Sequence, residues 1–181
     1  MSGSTWAALI ADPRELDPQV RYLYLMDGMV RGRGLFRISW AEGAVGRLAA
    51  FISRLPRPGT TPVSLTIVPD GEGVWWFRTF GRVPLVSFQQ VRNGTVHEAI
   101  GPLLFTYRLE VRDGGIDYRP RATRLMIGDR SVRLPRPFAP RVEVRIEGGN
   151  DADSTFTRFS VDVPLLGRIF DCEGTLWKEA S

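Results

Sequence analysis

Residues 82–101 read RVPLVSFQQVRNGTVHEAIG, and this stretch decides the fold. Asn93-Gly94 separates two runs rich in β-branched and apolar residues. Both turn residues tolerate positive φ, so the pair predicts a two-residue hairpin. In the second run Val96, Glu98 and Ile100 fall on one face, and Thr95, His97 and Ala99 on the other. The only histidine of the chain and its neighbouring carboxylate therefore point oppositely and cannot form a catalytic pair. His97 is expected to face solvent. Glu98 shares its face with the larger apolar residues, where a carboxylate needs a partner or a raised pKa.

Working outward, the same alternation and turn chemistry recur. TPVSLTIVPDGEGVWWFRTFG (61–81) predicts two strands around Asp70-Gly71. PLLFTYRLEVRDGGIDYRPR (102–121) predicts two more around Asp113-Gly114, and RATRLMIGDRSVRLP (121–135) a further hairpin. PRVEVRIEGGNDADSTFTRFSVDVPLLG (140–167) reads as another, with the polar tip GGNDADS, and a last strand runs through RIFDCEGTLW (168–177). Before these, GMVRGRGLFRISW places Val30, Phe36, Ile38 and Trp40 on one face, with Gly32 and Gly34 suggesting a bulge or bend. PQVRYLYLMDG (18–28) predicts a short helix or turn. In EGAVGRLAAFISRLP (42–56), Val45, Leu48, Ala49 and Ile52 form a helix face that Pro56 and Pro58 stop. About eleven short strands at regular spacing predict a mainly β chain. The expected fold is a single domain over 1–181, an antiparallel β-barrel or strongly curved sheet of about ten strands with one or two short helices.

Composition narrows the function. The formal net charge is +4, and every basic residue but Lys178 is an arginine. Read as spread along the chain and interleaved with acids, these cations suggest no nucleic-acid partner. The single cysteine, Cys172, excludes an internal disulfide and a multi-cysteine metal site. It shares parity with Phe170 and Leu176 and reads as a small buried hydrophobe. One histidine excludes a histidine-rich metal site. Asp151 and Asp153 resemble part of a calcium loop, but the downstream glutamate of that motif is missing. The start of the chain does not read as a secretory signal, and no stretch is apolar enough for a membrane helix, so a cytoplasmic protein without a membrane partner is expected. Signatures of serine hydrolases, phosphate-binding loops and zinc proteases are missing. No metal and no cofactor is expected.

Strand parity then sorts the candidate site residues. Val74, Trp76, Arg78 and Phe80 share a face, so Arg78 also sits among bulky apolar groups. An internal Arg78–Glu98 pair is either a structural ion pair or the polar floor of an apolar pocket. Tyr107 groups with Leu103, Phe105, Leu109 and Val111, Tyr118 with Ile116, and Thr155 and Thr157 with Phe159, Val161 and Val163. Glu98, Arg78 and Tyr107 are the candidate catalytic residues. Trp76, Phe80, Phe105, Tyr118, Thr157 and Phe159 are the candidate ligand-binding residues.

Taken in order, TPVSLTIVPDGEGVWWFRTFG, EAIGPLLFTYRLEV, LPRPFAPRVEVRIEG and FSVDVPLLGRIFDCEGTL resemble the bacterial family known as domain of unknown function 4166, over about residues 18–178. That family shows a tryptophan, then an arginine, then Phe-Gly; here these are Trp76 (or Trp75), Arg78 and Phe80-Gly81. It also shows a glutamate shortly before Gly-Pro-Leu, here Glu98 before Gly101-Pro102-Leu103. One departure is RYLYL, where the family pattern leads one to expect a histidine near Tyr24; any chemistry it carries in relatives is missing here. The resemblance implies a shared β-rich fold and no settled activity. Its members occur alone or joined to oxidoreductase-like domains, which implies small-molecule metabolism.

Two functions follow as expectations. In the first, the barrel encloses an apolar small molecule in a cavity beside Glu98 lined by Trp76 and Tyr107. It then either binds only or acts as a cofactor-independent cyclase or isomerase of secondary metabolism. In the alternative, the chain is a non-catalytic ligand-binding or protein-interaction module with a filled core. A cavity of several hundred Å³ separates the two. Association with further copies of the chain is left open.

Overall fold

The computed structural model describes residues 6, 9–25, 28–41, 43 and 55–179. A 3-10 turn at Pro13–Glu15 precedes helix α1 (Pro18–Leu25). Eleven strands follow: β1 (Val30–Trp40), β2 (Gly59–Asp70), β3 (Gly73–Phe80), β4 (Val83–Arg92), β5 (Thr95–Ile100), β6 (Leu103–Arg112), β7 (Gly115–Ile127), β8 (Arg130–Arg133), β9 (Arg141–Gly148), β10 (Ser154–Val163) and β11 (Gly167–Lys178).

From β1 to β7 each strand pairs with the next, antiparallel. β7 then pairs with β9, β9 with β10, β10 with β11, and β11 returns to β1. The result is a closed antiparallel barrel of ten strands, as the alternation predicts. β8 is an extra strand that folds back on the end of β7. Hairpin turns set the register: Asn93 and Gly94 both have positive φ (51° and 71°), the left-handed geometry that a tight hairpin of matching twist requires. The helix predicted across Val45, Leu48, Ala49 and Ile52 lies outside the described residues.

Two expectations need correction. RATRLMIGDRSVRLP is not an independent hairpin, because its first half continues β7. Pro120, which has no N–H to give, sits where the β6–β7 register shifts, so one long strand passes through a bulge instead of ending. The glycines of β1 mark no bulge either. β1 pairs without a register shift with both neighbours. A Cβ on Gly34 would strike the backbone oxygen of Thr175, so glycine is there to let β1 and β11 approach closely. The GGNDADS tip is the β9–β10 turn, where Asp151 accepts hydrogen bonds from the Asp153 amide and the Trp177 indole.

Helix α1 lies at the end of the barrel where β1 begins. Pro18 opens it with φ already suited to the first turn. Asp17 ties it down: its amide donates to the Gly114 carbonyl, and its carboxylate accepts from the Gly148 amide. One face of the helix, Val20, Leu23 and Tyr24, is buried. Tyr24 reaches inward against Trp6, Tyr118 and Trp76. Among the described residues no helix is long and apolar enough to cross a membrane.

Candidate functional site

Ten strands enclose more space than the eight that side chains can just fill, so the core needs bulky groups or stays partly open. Here it does both. Aromatic side chains crowd the axis, and an internal cavity of about 90 Å³ remains. At about 30 Å³ of liquid volume per water, this admits roughly three water-sized groups. It is smaller than the several hundred Å³ expected for a binding barrel. A recess of about 250 Å³ lies beside α1, bounded by Tyr22, Arg31 and Lys178, and it shares Leu23, Thr155 and Leu176 with the cavity wall.

The wall of the cavity carries a polar cluster. Arg78 and Glu98 meet as parity predicts, with Arg78 Nη2 3.5 Å from Glu98 Oε1. They are two strands apart: Gln89 of β4 lies opposite Glu98, and Leu85 lies opposite Arg78. The pair thus spans β4 above its side chains. The Glu98 side chain is 5% exposed and that of Arg78 21%. Arg78 also donates to Ser87 Oγ at 3.1 Å, and its guanidinium carbon lies 4.9 Å from the centre of the Trp76 ring.

Three tyrosines stand beside the pair. Tyr118 donates to the Tyr24 hydroxyl at 3.1 Å and packs edge-on against Tyr107. Burial raises the pKa of all three phenols above the ordinary 10.0; the Glu98 charge adds to this and the Arg78 charge opposes it. They stay neutral at physiological pH. Several buried polar atoms have no hydrogen-bond partner: Glu98 Oε1, Gln89 Oε1 and Trp76 Nε1.

Of the candidate residues, Trp76, Arg78, Phe80, Glu98, Tyr118, Thr157 and Phe159 line the cavity. Tyr107 and Phe105 do not, which corrects the expectation that both face a ligand. They point inward, but β6 is the one barrel strand that contributes no side chain to the wall. The two rings stack on each other, and Tyr118, which does face the cavity, packs in front of Tyr107. Tyr24, Ser87 and Gln89 were missed. Tyr24 arrives from α1, which strand parity does not address. In β4 both faces carry apolar residues, with Pro84, Val86 and Phe88 outside, so alternation alone gives no inside. His97 lies on the outer face, half-buried, with Nε2 3.0 Å from Thr95 Oγ1. Cys172 is buried against the cavity, and burial pushes its thiol up to about 12.

The family model described as Domain of unknown function (DUF4166) matches residues 16–176. The chain belongs to this family. The two charged motif residues of the DUF4166 resemblance, Arg78 and Glu98, are thus the members of the internal pair. No curated protein matches the chain. Among the described residues no three His, Cys, Asp or Glu side chains converge as a metal site would require. What the DUF4166 barrel offers chemically is a carboxylate, a guanidinium and an unpartnered indole N–H, on three side chains that line one small, mainly apolar chamber.

Proposed function

We propose that the barrel binds a small, mainly apolar molecule carrying one oxygen function, and acts on it as a cofactor-independent cyclase or isomerase. The observation that carries this reading is Glu98 Oε1. It is a buried carboxylate oxygen in the cavity wall that Arg78 Nη2 approaches to 3.5 Å without a hydrogen bond, so a ligand hydroxyl or acidic C–H would complete its polar surroundings. Trp76 Nε1–H and the Arg78 guanidinium supply donors for the ligand oxygen, and Glu98 takes or returns a proton. Positioned acid–base catalysis of this type contributes about 10²–10⁴-fold without a nucleophile or metal.

Acetone, smaller than the benzene that an apolar cavity of about 150 Å³ holds, suits the volume and tests the reading. Saturation-transfer NMR should show saturable binding, weakened by Thr157→Phe, which fills the cavity. In deuterated water the protein should speed exchange of the hydrogens next to the carbonyl, and Glu98→Gln should abolish that while keeping binding. Binding with exchange at the buffer rate would remove the catalytic part. The alternative, a filled module, is favoured by one observation: 90 Å³ lies below the ~300–1,000 Å³ of common ligand pockets. Failure of any small ketone or phenol to bind would establish it.

A further inference from the structure

The basic charge of this protein is concentrated in one place, contrary to its reading as spread along the chain. Between residues 121 and 141 there are six arginines, Arg121, Arg124, Arg130, Arg133, Arg136 and Arg141, against one acid, Asp129. All six are exposed, and none forms an ion pair with a described residue. Several arginines elsewhere on the barrel are met by acids: Arg37 and Arg158 share Glu173, Arg168 meets Asp162 and Asp171, and Arg112, Arg119 and Arg145 surround Asp117. Within the β7–β8 hairpin the register sets Arg124 directly opposite Arg133. Like charges directly opposed across a ladder are unfavourable, and no described residue forms an ion pair with either.

The same segment exposes large apolar side chains. Ile127 is 60% exposed, Val132 53% and Phe138 64%, and Met126 joins them. Ile127 borders the hairpin turn and Val132 lies on β8 opposite Leu125, at the barrel end opposite α1, where the Leu165–Leu166 turn between β10 and β11 is also exposed.

We propose that the β7–β8 hairpin and the loop after it dock the protein onto an anionic lipid surface. Guanidinium groups pair with phosphate in a bidentate fork, and exposed aliphatic tips insert at the boundary between headgroups and acyl chains. The apolar residues favour lipid over nucleic acid: Phe138 is the one aromatic residue between 121 and 141, whereas single-stranded nucleic acid needs several stacking platforms. The sequence-based expectation of no membrane partner rested on the lack of a secretory signal and of an apolar span, and neither bears on a surface dock. This inference is independent of the proposed function.

Vesicle sedimentation with the full chain tests it, using phosphatidylcholine alone and phosphatidylcholine with about one third phosphatidylglycerol. The protein should sediment with the anionic vesicles at low salt, not with the neutral ones, and be released at high salt. Each arginine near the surface is worth about fivefold, so Arg124→Gln with Arg133→Gln should weaken partitioning about 25-fold. Ile127→Ser with Val132→Ser should weaken it at unchanged charge. Arg14→Gln with Arg92→Gln, which removes the same charge elsewhere, should cost less than about threefold. Unchanged thermal midpoints show that the variants fold. Equal loss in the two arginine pairs, equal binding to neutral vesicles, no binding at all, or tighter binding to an oligonucleotide at the same salt would each overturn the proposal.

Discussion

Replacing Arg78 with methionine leaves the Glu98 carboxylate inside the barrel without its counter-charge. At 3.5 Å, and with the effective dielectric of about 20 that fits partly buried sites, the attraction between the two is about 5 kcal/mol before desolvation is counted. Glu98 is 5% exposed and has no hydrogen bond at Oε1, so bulk solvent compensates the loss of Arg78 poorly. Arg78→Met should therefore destabilise by about 3–5 kcal/mol. Glu98→Gln should cost less, about 1–3 kcal/mol, because Arg78 keeps Ser87, the Trp76 face and partial contact with solvent. In the double variant neither charge is stranded, and the loss should fall at least about 2 kcal/mol short of the sum. Urea unfolding followed by tryptophan fluorescence measures all three, provided the m-value is constant. Additivity within about 0.5 kcal/mol would mean that the two residues do not interact, and the account of the polar cluster would fail with it.

Other predictions follow from single residues. His97→Gln should change stability at pH 7.5 by under about 0.5 kcal/mol, because the ring lies on the outer face. Burial, with help from Arg92 and Arg124, lowers the His97 pKa below 6.5; the unfolded chain then binds the proton more readily, so wild-type stability falls as the pH drops through that value. Thermal midpoints between pH 7.5 and 5.5 should therefore fall less in His97→Gln than in wild type. Gly174→Ala should cost about 1–3 kcal/mol, since its Cβ would run into the Leu35 oxygen and the Phe36 backbone; a wild-type midpoint would contradict the close β1–β11 approach. Cys172 should resist alkylation by iodoacetamide at pH 8 in the folded protein and react once unfolded; quick labelling of native protein would show the core to be open.

Strand positions, hairpin turns and the inward faces of β3, β5 and β6 were legible because each is a local property. A period of two needs only neighbouring residues, and Asn93-Gly94 or Asp113-Gly114 fixes its turn through its own backbone preferences. Parity also identified Arg78 and Glu98 as the charges placed among apolar groups. Where a strand carries apolar residues on both faces, as β4 does, the local signal fails; Ser87 and Gln89 became part of the site only through their register with Trp76 and Glu98.

The amino-acid sequence by itself determined an antiparallel β-rich chain, its family, and an internal arginine and glutamate. Only the tertiary structure decided that the sheet closes, through β1 on β11 and β7 on β9, because partners such as Ile38 and Cys172 lie far apart in the chain and share no local pattern. It also decided that Tyr24 enters from α1, that β6 is walled off, and that the opening is about 90 Å³. The physical reason is that a cavity is the difference between the volume a ten-stranded barrel encloses and the volume its side chains fill, and neither quantity exists until strands distant in sequence have met.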